Sequence, residues 1–270
     1  MKLGVAYAIR EEVGFEALVE APIEKVLDLL VELSYSGIEL NIANPMKFDT
    51  PRYRKAIEDH GLGVPVISTG LSYLTYGYSL THPSDDVRKR AIEFFIKYAE
   101  IAHDFGCNRV VIGLARGRGE EQGALDRLVD SVTRILEATE SLGTVILLEP
   151  LNRYETKLIN KIDQFIDFVK RLGFPKRVRM LFDTFHMTLE ERDPYLALAR
   201  ARNYLGYVHL AENNRLAPGM GMLDWFKILA ILRSVGYDYY ITVEAVPHPS
   251  FEDMLRIASA TIRPVMELIA

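Results

Sequence analysis

The sequence predicts an α/β fold, a (β/α)8 TIM barrel filling residues 1–270 as a single domain. Three observations lead there. Eight short apolar runs recur along the chain, and continuous apolar runs suit parallel strands covered on both faces. Longer amphipathic stretches lie between them, as parallel crossovers require. The turn after the first run, "GVAYAIREE", lacks the G-x-G-x-x-G of a dinucleotide-binding open sheet, which removes the main competing fold.

The strands are expected in order at Leu3–Tyr7, Gly37–Leu40, Val64–Ser68, Arg109–Gly113, Val145–Glu149, Val178–Asp183, Tyr207–Ala211 and Tyr239–Glu244. After the first strand, "PIEKVLDLLVEL" reads as a helix with Pro22 at its first position, where a missing N–H costs nothing. "SDDVRKRAIEFFIKYAEIAHDFG" has Ser84 as N-cap, Asp85 and Asp86 in the first turn and Gly106 as its stop. "FEDMLRIASATIRPVMELI" closes the chain, with a kink expected at Pro264. No Pro/Gly/Ser-rich linker divides these units.

Of the 270 residues, 49% are hydrophobic and 26% charged, the balance of a globular protein, with a formal net charge of −5. The basic excess of a nucleic-acid binder is missing. The single cysteine, Cys107, excludes an internal disulfide and fits a reducing compartment. "MKLGVAYAIREEVGF" has no signal-peptide pattern. No apolar run reaches the ~18 residues of a membrane span. The expectation is a cytoplasmic protein without nucleic-acid or membrane partners.

In a barrel of this kind the C-terminal strand ends build the site. The run Val145–Leu148 ends abruptly in Glu149, a residue type almost never buried without a partner. The sixth strand ends in Asp183, the eighth in Glu244, and the seventh carries His209 near its end. Four consecutive strands thus bring metal-competent groups to one rim. Three carboxylates crowded together repel, and a divalent cation removes that penalty. The mixed oxygen and nitrogen set suits Mn2+, with Mg2+ or Co2+ as alternatives, better than a thiolate-bound zinc.

"LEPLNRYET", "FDTFHM", "VHLAENNRLAPG" and "VEAV" resemble the sugar isomerase/epimerase family with the xylose-isomerase-like barrel, which includes the D-tagatose 3-epimerases. The resemblance runs over essentially the whole chain. It implies one divalent ion held by Glu149, Asp183, His209 and Glu244, with Glu149 and Glu244 acting also as acid and base. Their places on the outer pair of the four strands suit attack from opposite faces of a substrate. One carboxylate would remove a proton beside a carbonyl and the other return one on the far side, with the metal as Lewis acid toward a cis-enediolate. His186, Arg215 and Glu155 match the family's contacts to sugar oxygens. Glu212 stands where the family commonly has Asp. Family members are often dimers or tetramers, so a homo-oligomer is expected.

Arg116 and Arg118, in "GLARGRGEE", follow the fourth strand. Either they pair with Glu120 and Glu121, or one of them clamps an acidic substrate. The chain looks most similar to members acting on keto acids of the 5-keto-gluconate type, which favours the clamp. Tyr7 is expected on the pocket floor. The aromatic segment Ser72–Ser79 is expected as a lid or a subunit contact. His60, His103 and Cys107 read as structural, and His82 as a loop organiser. His248 is left without a role.

The leading expectation is a metal-dependent 3-epimerase of a ketose or keto-sugar acid. An inosose-type dehydratase is the alternative on the same barrel. An AP endonuclease would need further ligands where the chain reads "STGLSY", "GLARGR" and "DWF". A non-catalytic sugar-binding barrel would not require both opposed glutamates.

Overall fold

The computed structural model describes residues 1–269. Eight parallel strands close into a barrel in sequence order. Each strand follows from its run of apolar residues, and each helix from a polar start and an apolar stripe. Strand β1 (Lys2–Ile9) leads to α1 (Ile23–Glu32), and β2 (Gly37–Ile42) to α2 (Thr50–Asp59). The short β3 (Ile67–Ser68) is followed by α3 (Gly70–Tyr76) and α4 (Asp85–Asp104). Then come β4 (Arg109–Ile112), α5 (Ala124–Ala138), β5 (Val145–Leu148) and α6 (Ile162–Arg171). β6 (Val178–Asp183) leads through α7 (Thr184–Glu190) and α8 (Pro194–Arg200) to β7 (Leu205–Leu210). The last elements are α9 (Trp225–Ser234), β8 (Tyr240–Val243) and α10 (Phe251–Leu268). Pairing of Lys2 with Tyr240 and of Val5 with Val243 closes the ring.

Strand parity sorts the side chains. Ile146, Leu148, Met180, Phe182, Val208, Ile241 and Val243 point outward and pack with the helices in the main core. Val66, Val111, Leu147, Leu181, Tyr207 and Tyr240 fill the barrel interior. Gly37 makes that filling feasible, because a Cβ there would lie 2.5 Å from the Tyr240 ring and 2.7 Å from the Gly63 carbonyl oxygen.

Several boundaries differ from expectation. β3 is only two residues long, because Val64–Val66 run up to the barrel without ladder pairing. Pro22 is the cap of α1 and not its first residue. Ser84 precedes α4 as expected, but its hydroxyl makes no capping bond; Asp85 and Asp86 occupy the first turn. α10 runs through Pro264. Gly106 ends α4 at φ +72°, a left-handed stop natural to glycine. Among the described residues no helix is long and apolar enough to cross a membrane.

Candidate active site

Glu149 and Glu244 lie one residue beyond β5 and β8, yet the ladder still grips them: the Glu149 amide donates to Ile112 O at 3.0 Å and the Glu244 amide to Leu210 O at 3.2 Å. Asp183 and His209 are register partners on β6 and β7. Parity turns all four side chains inward. One ligand-competent atom from each of Glu149, Asp183, His209 and Glu244 lies within 4.8 Å of the others, and all four residues are buried. This is the one such metal-competent group among the described residues.

The imidazole is fixed by a residue that sequence reasoning passed over. Glu39, fully buried in the middle of β2, accepts from His209 Nε2 at 2.9 Å and from the Ser68 hydroxyl at 2.5 Å. His209 Nδ1 is thereby aimed at Glu244 Oε2 (3.3 Å), Glu149 Oε1 (3.6 Å) and Asp183 Oδ2 (3.8 Å). A carboxylate behind a ligating histidine is the usual way to set its ring orientation. The clue was present in "GIEL": a carboxylate inside a strand covered on both faces is the same anomaly as Glu149.

Asp183 divides its two oxygens. Oδ1 caps α7 by accepting from the Phe185 and His186 amides at 2.7 and 3.1 Å. Oδ2 receives Arg215 Nη1 at 2.6 Å, and the other arm of the same guanidinium donates to Glu244. The cap sets His186 in the first turn of α7, where Asn152 Nδ2 donates to its Nδ1 at 2.9 Å. The ring proton therefore lies on Nε2, 3.7 Å from Glu149 Oε1. Asn152 also donates to Glu155 Oε1 at 2.7 Å.

Burial pushes the Glu149 carboxyl up to about 7, with the Glu244 and Asp183 charges adding to it against His209. Burial would raise Asp183 too, but Arg215, His186 and His209 outweigh it and hold that carboxyl down at about 2. Desolvation lowers His186 to about 4 and leaves it a neutral donor. For His209 burial opposes protonation, yet Glu39 and Glu244 prevail and carry its pKa well above the ordinary imidazole value. The buried atoms without a protein partner include Glu149 Oε1, Glu155 Oε2 and His209 Nδ1. Two of these three belong to the four-residue cluster, and such orphaned donors fit a divalent cation. The cavity over the cluster is narrow, about 30 Å³, with Phe15, Val111, Leu114 and Leu151 as its apolar walls. Asn41, Ser68, Glu155, His186 and Arg215 add polar edges. Apolar walls with a few convergent polar groups are the character of a small-molecule site.

Three expected site residues are placed elsewhere. Tyr7 is on the outward parity of β1, among the helix-side core, and its hydroxyl donates to Ala21 O at 2.8 Å. Ala6 and Ala8 take the inward positions. Arg116 is no anion clamp. The chain leaves β4 through a 3-10 turn, Leu114–Arg116, which folds the guanidinium behind β5. There it is fully buried and donates to the Glu149 carbonyl and to Ile159 O. Arg118 is exposed and lines a separate cavity with His82, Glu120 and Glu121.

The segment Ser72–Ser79 is not a free loop. Its first half belongs to α3, Tyr76 stacks on Tyr78, and both pack against Phe94. Glu212 proves to be a loop anchor: its carboxylate accepts from the Gly219 amide (2.8 Å), the Leu223 amide (2.9 Å) and Trp225 Nε1 (2.7 Å). The loop it braces carries Arg215, itself at a left-handed φ of 66°. His82 accepts from the Ser84 amide, and His60 bonds Ala56 O and Asp28. Burial raises the Cys107 thiol to about 11, which suits an inert role.

Residues 27–264 match the family described as xylose isomerase-like TIM barrel. The chain is 30% identical to the D-psicose 3-epimerase of Ruminiclostridium cellulolyticum, an alignment covering 90% of this chain and 83% of that protein. It is 30% identical to the L-ribulose 3-epimerase of Mesorhizobium japonicum over 81% of this chain and 73% of the other. A solved L-ribulose 3-epimerase superposes with a TM-score of 0.85 at 24% identity, covering 99% of this chain and 95% of that one.

Proposed function

The chain belongs to the xylose isomerase-like TIM barrel family and is an epimerase acting on sugars, and on that premise we propose a metal-dependent 3-epimerase of a ketose. The observation that carries this reading is the buried cluster of Glu149, Asp183, His209 and Glu244 at the base of a cavity with apolar walls and a few convergent polar groups. These four residues would hold the ion, Mn2+ first by the donor set, with Mg2+ or Co2+ as substitutes. Bound there, the ion would supply Lewis-acid polarisation of a substrate carbonyl.

The protein's own groups account for the proton movement. Glu149 lines the cavity with one carboxylate oxygen unpartnered, placed to take and to return a proton. Glu244 stands on the other outer strand of the four, so the two carboxylates flank the space between them. One removes the proton beside the carbonyl, and the other delivers a proton to the opposite face. Neutral His186 donates from Nε2 to a sugar oxygen, and the unpartnered Glu155 Oε2 accepts from a hydroxyl. Phe15, Leu114 and Leu151 exclude water from the reacting carbon.

With Arg116 turned behind Glu149, Arg215 is the one arginine or lysine lining the cavity, and two carboxylates already engage it. A neutral ketose fits that charge balance better than a keto-sugar acid. The test is a panel of ketoses, keto acids and sugar phosphates incubated with Mn2+ in deuterated water. Deuterium at the inverted C3 of a neutral ketose is the expected result. Loss of water from the substrate would instead identify a dehydratase, and absence of exchange with every ketose would end the proposal.

A further inference from the structure

The opposite end of the barrel, where the strands begin, holds a second concavity of about 540 Å³. Arg109 at the start of β4, Arg179 in β6, and Lys176 and Arg202 on the loops before β6 and β7 all line it. No ion pair or side-chain hydrogen bond to a carboxylate engages any of these four among the described residues. Asp238 is the single acidic residue of the lining, and its carboxylate is already matched by the Met1 ammonium at 2.6 Å. Four unneutralised cations around one cavity repel each other, in a chain whose net charge is −5.

One arginine of the floor is held in place. The Arg109 guanidinium lies 4.0 Å over the Tyr239 ring and donates to Cys107 O at 3.2 Å. Arg179 stands beside a bare stretch of β7: a Cβ on Gly206 would come within 2.6 Å of the Arg179 Cβ and 2.7 Å of Leu147 Cδ2. The tyrosine hydroxyls nearby are used by the backbone, Tyr237 on Tyr240 O and Tyr239 on Pro65 O. The free donors of the cavity are therefore guanidinium and ammonium groups. Guanidinium forks match phosphate oxygens in pairs. Four cationic side chains around one concavity exceed what a single phosphate would use.

We propose that this N-terminal mouth binds a diphosphate group. It lies at the other end of the strands from the sugar cavity, since β4 contributes Arg109 here and leads to Gly113 there. Occupancy should consequently not compete with sugar.

The test is calorimetric titration of the full-length protein with inorganic pyrophosphate at fixed ionic strength, set against chloride. Wild type is compared with R179Q and with the surface pair K176Q/R202Q, which leaves the barrel floor intact. Saturable one-site binding, weakened about tenfold or more in each variant, is expected, since charge-assisted bonds are the strong ones. Chelation of metal by pyrophosphate would appear equally in all three proteins, so a signal unchanged by both variants overturns the proposal. So does binding that chloride reproduces, or inhibition of the sugar reaction that is competitive with sugar. ADP distinguishes the source of the group. Binding as tight as pyrophosphate supports a site for the diphosphate alone, and tighter binding supports one for a nucleoside diphosphate.

Discussion

Glu149 and Glu39 are the same anomaly met twice, a carboxylate in an apolar strand, and each answers to His209. Glu39→Gln keeps the size but loses the charge behind the ring. Metal affinity is expected to fall about 10–100-fold, measured by competition with a chelator, while the barrel stays folded by circular dichroism. An unchanged affinity would strip Glu39 of its positioning role. Glu244→Gln should lower turnover by at least about 10²-fold with metal still bound, because an amide moves no proton. Near-normal turnover would refute the paired-carboxylate scheme. Arg116→Met should reduce kcat for neutral and acidic substrates alike, since the guanidinium supports the Glu149 backbone and not a ligand. A KM effect confined to acidic substrates would restore the clamp. Arg116 was misjudged from sequence because a strand end followed by arginine gives no sign of a 3-10 turn. Tyr7 was misjudged by one step of parity, which one strand taken alone does not reveal.

Among the elements, the four strands ending in ligand-type residues were legible because each is a clear apolar run with an abrupt polar end. The crossover between β7 and α9 was not, because its order rests on side-chain contacts remote in sequence. Glu212 gathers three donors from Gly219, Leu223 and Trp225. Standing where the family commonly has Asp, it is a carboxylate with both oxygens engaged. Glu212→Ala leaves those donors without a partner and should destabilise the fold by about 2–3 kcal/mol. Hydrogen exchange should quicken through residues 212–224, and uniform protection there would contradict the anchoring role. β3 is the element least readable in advance, as of the expected run Val64–Ser68 only Ile67–Ser68 pairs.

For the molecule as a whole, the charge cluster sets a pH dependence. Glu149 has a folded pKa raised from 4.5 to about 7, so without metal the native state holds a proton that the unfolded chain releases. His209 is raised as well and also holds its proton in the fold. Both effects make metal-free stability fall as pH rises from about 5 to about 8. A divalent ion held by the cluster would displace those protons, so its affinity should rise over the same range. Melting curves with chelator should therefore shift down with rising pH, and curves with excess Mn2+ should not. The gap at pH 8 is expected to be about 5–10 °C, from saturation near 100 times Kd in a chain of this size. Parallel curves would show that the cluster holds no ion. The closed ring, by contrast, was legible from strand count and spacing alone, because hydrophobic patterning governs the fold while side-chain direction governs the site.

The two-armed grip of Arg215 on Asp183 and Glu244 acts as a stopper in the neck of the cluster. Two of the crowded acids thereby share one guanidinium, so like charges do not drive the staves apart. An ion taken up by these residues would have to draw the arginine off both carboxylates, so uptake should be slower than diffusion yet need no refolding.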